Sequence, residues 1–149
     1  MKGAGIIESL VGEELRDGTI QSYFYENELQ DLVYKTYLKF ANKWIEVIIT
    51  DGVIVVRLCD ENVANYKEYG SDEYKYTTEK FSVVFPEFRK YISHKLLYFK
   101  EIVSKYNEKI NFGISLYFSN DLVITIFNNH TGKNEIVFRR IEKKDFKEI

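Results

Sequence analysis

Two histidines, His94 and His130, and one cysteine, Cys59, are all this chain offers among side chains that usually serve as soft metal ligands or neutral-pH bases. One thiol cannot close a disulfide or build a cysteine-based zinc site within a single chain. No Gly-x-Ser-x-Gly elbow and no His-Glu-x-x-His occurs. His130-Thr131-Gly132-Lys133 suggests a phosphate loop but lacks the first glycine of that motif. It also falls between two strand patterns, where no helix amino terminus follows to receive an anion, so Gly132 reads as a hairpin residue. His94, beside Ser93 and Lys95, reads as a solvated helix histidine. Carboxylates remain: Asp60, Glu61, Glu68, Asp72, Glu73 and Glu79 lie close in sequence. Paired in space they could act as acid and base, but they lack the spacing of a calcium loop. The expectation is no catalytic residue, no cofactor and no metal, with an enzyme of unknown class as the third reading.

Those carboxylates alternate with Tyr66, Tyr69, Tyr74 and Tyr76. Tyrosine gives large contact area at low entropy cost, and acids beside it steer a basic partner. Tyr66, Glu68, Tyr69, Asp72, Glu73, Tyr74 and Tyr76 are therefore the expected partner-binding residues. The expected function is a non-catalytic protein-binding domain, in one form an inhibitor or immunity-type protein covering a basic partner. The plainer reading is that the rings pack on the domain and the acids solvate a loop. Nucleic-acid binding is the alternative. Arg139, Arg140, Lys143, Lys144 and Lys147 make a basic end, and Tyr117 and Phe127 could stack on bases. A sequence pI of about 5.8 argues against it, since phosphate neutralisation demands a positive surface.

The elements that would position these residues belong to one domain, 1–149, of ordinary globular composition: 45% apolar, 30% charged and 16% aromatic. The net charge of −2 hides an asymmetry: residues 1–79 hold 15 acids and 8 bases, residues 80–149 hold 8 and 13. Either the halves form opposed faces, or they intermix and neutralise one another; intermixing is the expectation. No stretch approaches the roughly 18 apolar residues of a membrane span, and Glu8 interrupts any signal-like run, so a cytoplasmic protein is expected.

The hydropathy pattern predicts an α+β domain. It consists of two antiparallel β-meanders with one long amphipathic helix packed on the sheet. Short helices are predicted over 5–16 and 61–69, the second ending at Gly70, and 60–80 is otherwise an irregular connection. A strand over 19–25 sets Ile20, Ser22 and Phe24 against Gln21, Tyr23 and Tyr25. The long helix runs over 86–107 from Pro86, with Phe88, Ile92, Leu96, Phe99, Val103 and Tyr106 as its stripe.

Strands are predicted near 31–40, 44–50, 53–60, 111–118, 121–128 and 135–141. An Asp51-Gly52 hairpin sets Thr50 against Val53, Ile49 against Ile54, Val47 against Val56 and Ile45 against Leu58. An Asn42-Lys43 turn adds Leu38 and Phe40 to that apolar face. Lys39, Glu46 and Arg57 then form a charged row on the solvent side, with Trp44 facing Cys59 there. In the second meander an Asn120-Asp121 turn sets Phe118 against Val123 and Ile114 against Phe127. Residues 37–50 and 115–128 share this plan, matching Leu38, Phe40, Asn42, Ile45, Ile48 and Ile49 to Leu116, Phe118, Asn120, Val123, Ile126 and Phe127. Common hairpin chemistry explains the likeness, as does a pseudo-symmetric fold of two halves.

Overall fold

The computed structural model describes residues 1–129 and 132–149. The hairpin expected at His130-Thr131-Gly132-Lys133 includes His130 and Thr131, which lie outside the described residues. Strands make up 56% of the structure and helical turns 13%, and no helix reaches seven residues. The α+β expectation is thereby corrected to a mostly β fold of two antiparallel sheets.

Strands β1 (Leu15–Tyr25), β2 (Glu28–Phe40), β3 (Lys43–Thr50), β4 (Val53–Cys59), β5 (Glu68–Gly70) and β6 (Tyr74–Lys80) form one sheet, in the order β4-β3-β2-β1-β6-β5. Strands β7 (Leu96–Ser104), β8 (Asn111–Phe118), β9 (Val123–Asn128), β10 (Asn134–Val137) and β11 (Phe146–Glu148) form the other, in the order β10-β9-β8-β7-β11. Helical pieces are short: α1 (Ala4–Glu8), α2 (Glu61–Ala64), α3 (Phe81–Val84) and a 3₁₀ turn at Pro86–Tyr91.

One core joins the inner faces of both sheets. Ile20, Leu38, Phe40, Ile45, Val47 and Val56 come from the first, and Leu96, Ile114, Leu116, Phe118, Ile124 and Ile126 from the second. The Phe40 and Phe118 rings lie nearly parallel across the gap, 6.3 Å between centroids. Phe81 and Phe88, stacked at 3.9 Å, close one end of it.

The long helix is absent. Pro86 does open a helical turn, as its fixed φ favours, but that turn stops at Tyr91. Ser93 then takes a left-handed φ of 69° and donates its N–H to the Leu15 carbonyl, and the chain enters β7 between β8 and β11. The stripe at 96–103 is rich in aromatic and β-branched residues, so it serves a strand as well as a helix, and pairing on both edges decides. The helices expected over 5–16 and 61–69 shrink to α1 and α2, and the segment 60–80 supplies two strands.

The first meander holds its β3–β4 register pair for pair, including Thr50–Val53, Glu46–Arg57 and Trp44–Cys59. Asp51 and Gly52 carry the paired left-handed φ values of a type I′ turn. The preceding turn is Ala41-Asn42, not Asn42-Lys43, so Leu38 pairs with Ile45. That slip of two residues leaves every side chain on its expected face. Tyr37 therefore replaces Lys39 opposite Glu46, and Lys39 faces Trp44. Leu58, near the end of the edge strand β4, is 57% exposed, unlike its five buried companions.

In the second meander Asn120 and Asp121 are both left-handed, and the Phe118 N–H donates to the Leu122 carbonyl at 2.8 Å. Leu122 thus becomes a loop residue. Ile114 faces Ile126, and Tyr117 faces Val123, one residue away from the expected register. A one-residue slip reverses a strand, so Ile124 and Ile126 join the core while Phe127 packs outward with Ile102 and Phe146. Hence the two halves share a hairpin pattern only: Ile45 faces the core, and its match Val123 does not.

Candidate functional site

The outer face of the six-stranded sheet carries a continuous field of tyrosines. Antiparallel pairing puts Tyr23 opposite Tyr76, Tyr25 opposite Tyr74, and Tyr69 opposite Tyr76. Ring centroids are 4.9 Å apart for Tyr69–Tyr76 and 5.2 Å for Tyr23–Tyr76, both stacked. Tyr34 touches Tyr23 at 5.7 Å and Tyr76 at 5.4 Å. It reaches this face because β2 runs three residues against one of β1 between the pairs Gln21–Lys35 and Tyr23–Asp31. Tyr25 meets Tyr74 at 5.6 Å, and Tyr66 stands edge-on to Tyr69 at 5.8 Å. A stacked pair such as Tyr69–Tyr76 contributes about 0.5–1.5 kcal/mol beyond area burial. Tyr66, Tyr69 and Tyr74 nevertheless remain 56%, 41% and 45% exposed.

The expected residues of 66–76 thus come together, but as part of a larger surface. Tyr66, Tyr69, Tyr74 and Tyr76 lie on it, while Glu68, Asp72 and Glu73 form its rim. Glu68 pairs with Lys75 at 3.8 Å, and Asp72 is exposed in the β5–β6 turn. Glu73 accepts a hydrogen bond from the Tyr25 hydroxyl at 3.4 Å, and its charge holds the Tyr74 hydroxyl above its ordinary pKa. The Glu26 N–H donates to the Glu73 carbonyl at 2.9 Å, so the β1–β2 and β5–β6 turns meet and bring Glu26 to the same rim. Sequence reasoning missed Tyr23, Tyr25 and Tyr34. The alternation of Gln21, Tyr23 and Tyr25 already placed two of them on one strand face; what it lacked was the knowledge that β6 is β1's neighbour.

Further along this face the expected solvent-side charged row proves to be a network around a buried carboxylate, with Arg57 at its exposed edge. Glu46 is 4% exposed. It accepts hydrogen bonds from Tyr37 Oη at 3.3 Å and from Arg57 Nε, and pairs with Lys35 Nζ at 2.9 Å. Burial pushes the Glu46 carboxyl up, but hydrogen bonds and charge from Arg57 and Lys35 together hold it below its ordinary value. Burial and then Glu46 itself push the Tyr37 hydroxyl far up, so it stays a neutral donor. Trp44 and Tyr37 are covered by Ala64 of α2, and Thr19 Oγ1 secures α2 by donating to the Ala64 carbonyl at 2.5 Å.

Between these two regions lies a cavity of about 260 Å³ lined by Gln21, Lys35, Tyr37, Asn62, Val63, Tyr66 and Tyr69. Its walls are largely rings and aliphatic carbon. Gln21 is 1% exposed, and its Oε1 has no hydrogen-bond partner among the described residues. One Glu46 carboxylate is shared by Lys35 and Arg57, leaving the triad net positive. Lys35 in the cavity wall is paired with Glu46 at 2.9 Å, so its charge is largely compensated there.

Other candidates are drawn into structural duties. His94 is not on a helix; its Nδ1 lies 2.9 Å from Ser119 Oγ and ties the approach to β7 to the β8–β9 turn. Cys59 packs beside Trp44, and burial, then Glu46 and Asp60, push its thiol up to about 11. At the basic end Arg140 pairs with Glu148 at 3.1 Å, Lys147 pairs with Glu108, and Lys143 lies over the Phe127 and Phe146 rings. Tyr117 and Phe127, expected to stack on bases, are both buried. Among the described residues no three His, Cys, Asp or Glu side chains gather as a metal site would require, and no helix is long and apolar enough to cross a membrane. Comparison with family models, with curated proteins and with solved structures finds no match, so the site must be read from its own geometry.

Proposed function

We propose that this chain is a non-catalytic protein-binding module that receives a basic partner on the tyrosine face of its six-stranded sheet. In its specific form it is an inhibitor or immunity-type protein that covers a site on that partner. One observation carries the reading. The charge asymmetry expected to cancel by intermixing instead follows the sheets: every strand of the six-stranded sheet lies in residues 15–80, and every strand of the other in 96–148. Residues 15–80, with 12 acids and 8 bases, are net −4 and bear the tyrosines, and residues 96–148, with 7 acids and 9 bases, are net +2 and form the other sheet. Such a division orients an incoming basic surface before contact, and exposed rings then supply anchoring area.

The test is capture from native cells on the immobilised protein, followed by mass spectrometry. The triple variant Tyr66→Ala, Tyr69→Ala, Tyr74→Ala should keep its melting temperature within a few degrees and lose at least tenfold in capture. These rings are the more exposed ones, so their loss spares the core. Capture that the variant retains in full rejects the face. Retention of nucleic acid that disappears with Arg139→Ala and Arg140→Ala would install the nucleic-acid reading instead.

A further inference from the structure

We propose that Tyr98 and Tyr117, on the outer face of the five-stranded sheet, are an oxidative cross-linking site in which Glu148 takes the proton. The site is independent of the protein-binding reading above. Leu116 and Phe118 enter the core, so Tyr117 between them points outward, and register sets it opposite Tyr98. The two rings stack at 4.4 Å between centroids with their planes 15° apart. Tyr98 is 47% exposed, whereas Tyr117 is buried. Tyr117 Oη lies 2.7 Å from both carboxylate oxygens of Glu148. The Glu148 side chain, 7% exposed, also pairs with Arg140 at 3.1 Å.

The co-substrate is a one-electron oxidant. Removing an electron from a tyrosine makes its hydroxyl strongly acidic, so the proton leaves too, and a base within hydrogen-bond reach decides where it goes. Burial, and then Glu148, hold the Tyr117 hydroxyl far above its ordinary pKa, so electron loss there is tied to proton transfer along the bond to Glu148. Exposed Tyr98 gives its proton to water. The two phenoxyl radicals then join through ortho carbons that become tetrahedral, so the bond forms across ring faces, which stacked rings present. The ortho hydrogens leave as protons and both oxygens are reprotonated. In total two electrons pass to the oxidant and two protons to water. Other tyrosines lack one part each. Tyr69 and Tyr76 stack, but among the described residues no carboxylate accepts from either hydroxyl. Tyr25 donates to Glu73, but its ring is tilted 49° to Tyr74. Tyr37 donates to Glu46 but is 1% exposed.

The probe is hexachloroiridate(IV), an oxidant that accepts one electron, applied to a Cys59→Ala background that removes the one thiol. Oxidation should give dityrosine fluorescence and a mass loss of two hydrogens, and proteolysis should return a peptide pair joined at residues 98 and 117. Tyr98→Phe should abolish that pair, and Tyr69→Phe should leave it intact. With Glu148 as the base, the rate of forming the 98–117 link at pH 7 should not vary with the concentration of buffer base. Glu148→Gln should slow the link at least tenfold and make its rate rise with buffer base. The amide still accepts from Tyr117, so a merely structural Glu148 would leave the buffer dependence unmoved. Cross-links confined to Tyr69 and Tyr76, or to pairs of molecules, overturn the site. Buffer dependence already present before Glu148 is replaced overturns its role as the proton acceptor.

Discussion

Glu46 sits opposite Arg57 on a neighbouring strand, and such pairs are ordinarily solvated and worth little. Here α2 and the tyrosine field bring it to 4% exposure, and its carboxylate answers three donors. Glu46→Gln keeps the shape but leaves Lys35 partly buried beside a neutral amide. The substitution should cost about 1–3 kcal/mol at pH 7 by urea denaturation, more than a surface ladder would lose. Because the folded-state carboxyl titrates below its unfolded value of about 4.3, its stabilisation is complete above that pH. It disappears as pH falls through the folded value, so the gap between wild type and variant should close in acid. A gap unchanged at pH 3 would refute the network. Cys59 supplies a second residue-scale expectation. With its thiol pushed from 9.0 to about 11, the thiolate fraction at pH 8 falls about 100-fold. Iodoacetamide should modify it at least tenfold more slowly than a free thiol, since the greater nucleophilicity of a high-pKa thiolate offsets part of that fall, and rapid labelling would show that α2 does not cover it. Neither residue's burial could be read from sequence, because α2 is folded back onto this face by a tie to distant β1, Thr19 Oγ1 to the Ala64 carbonyl.

Among elements, hairpins were legible and the segment 86–107 was not. Asp51-Gly52 dictates a turn geometry, the geometry dictates register, and register assigns each side chain to a face. The prediction that separates burial from mere facing compares Val47 with Leu58, both inward by register. Val47→Asp strands a charge in the core and should cost several kcal/mol; Leu58→Asp, at 57% exposure, should cost under about 0.5 kcal/mol. Equal urea midpoints for the two would contradict the described packing. Where sequence reasoning failed, two periodicities fitted the same residues. Spacing alone cannot choose between a stripe and an alternation when the partner strands β8 and β11 are unknown. The left-handed Ser93 marks the decision. Ser93→Val should destabilise the fold by about 1–2 kcal/mol, since a β-branched residue resists that conformation, while Ser93→Gly should not. Matching losses from both would place the constraint in the serine side chain instead of the backbone. At Asn120-Asp121 the failure was smaller: the turn was found, but the extra loop residue Leu122 was invisible to a pattern apolar on both faces.

At the scale of the molecule, the two sheets contribute to one shared core, and this links the tyrosine face to strands far from it. The acidic and basic stretches were countable in sequence, yet their division between sheets depended on a topology in which neither meander borrows a strand from the other. The site was half legible for the same reason. Tyr66 to Tyr76 cluster in sequence, while Tyr23, Tyr34 and Gln21 join them only through the pairing of β6 with β1 and of β1 with β2. A face assembled from four strands keeps its shape only while the sheet beneath it is held by the core. Phe40 lies in that sheet, is fully buried, and stacks on Phe118 of the other. Phe40→Ala should therefore cost about 3–5 kcal/mol. Hydrogen exchange distinguishes a shared core from two neighbouring ones. If the sheets open together, the protected amides of Leu38 and Ile45 should lose the same free energy as those of Leu116 and Ile124. A large loss confined to Leu38 and Ile45, with Leu116 and Ile124 unchanged, would mean that the sheets unfold separately and that the tyrosine face depends on its own sheet alone.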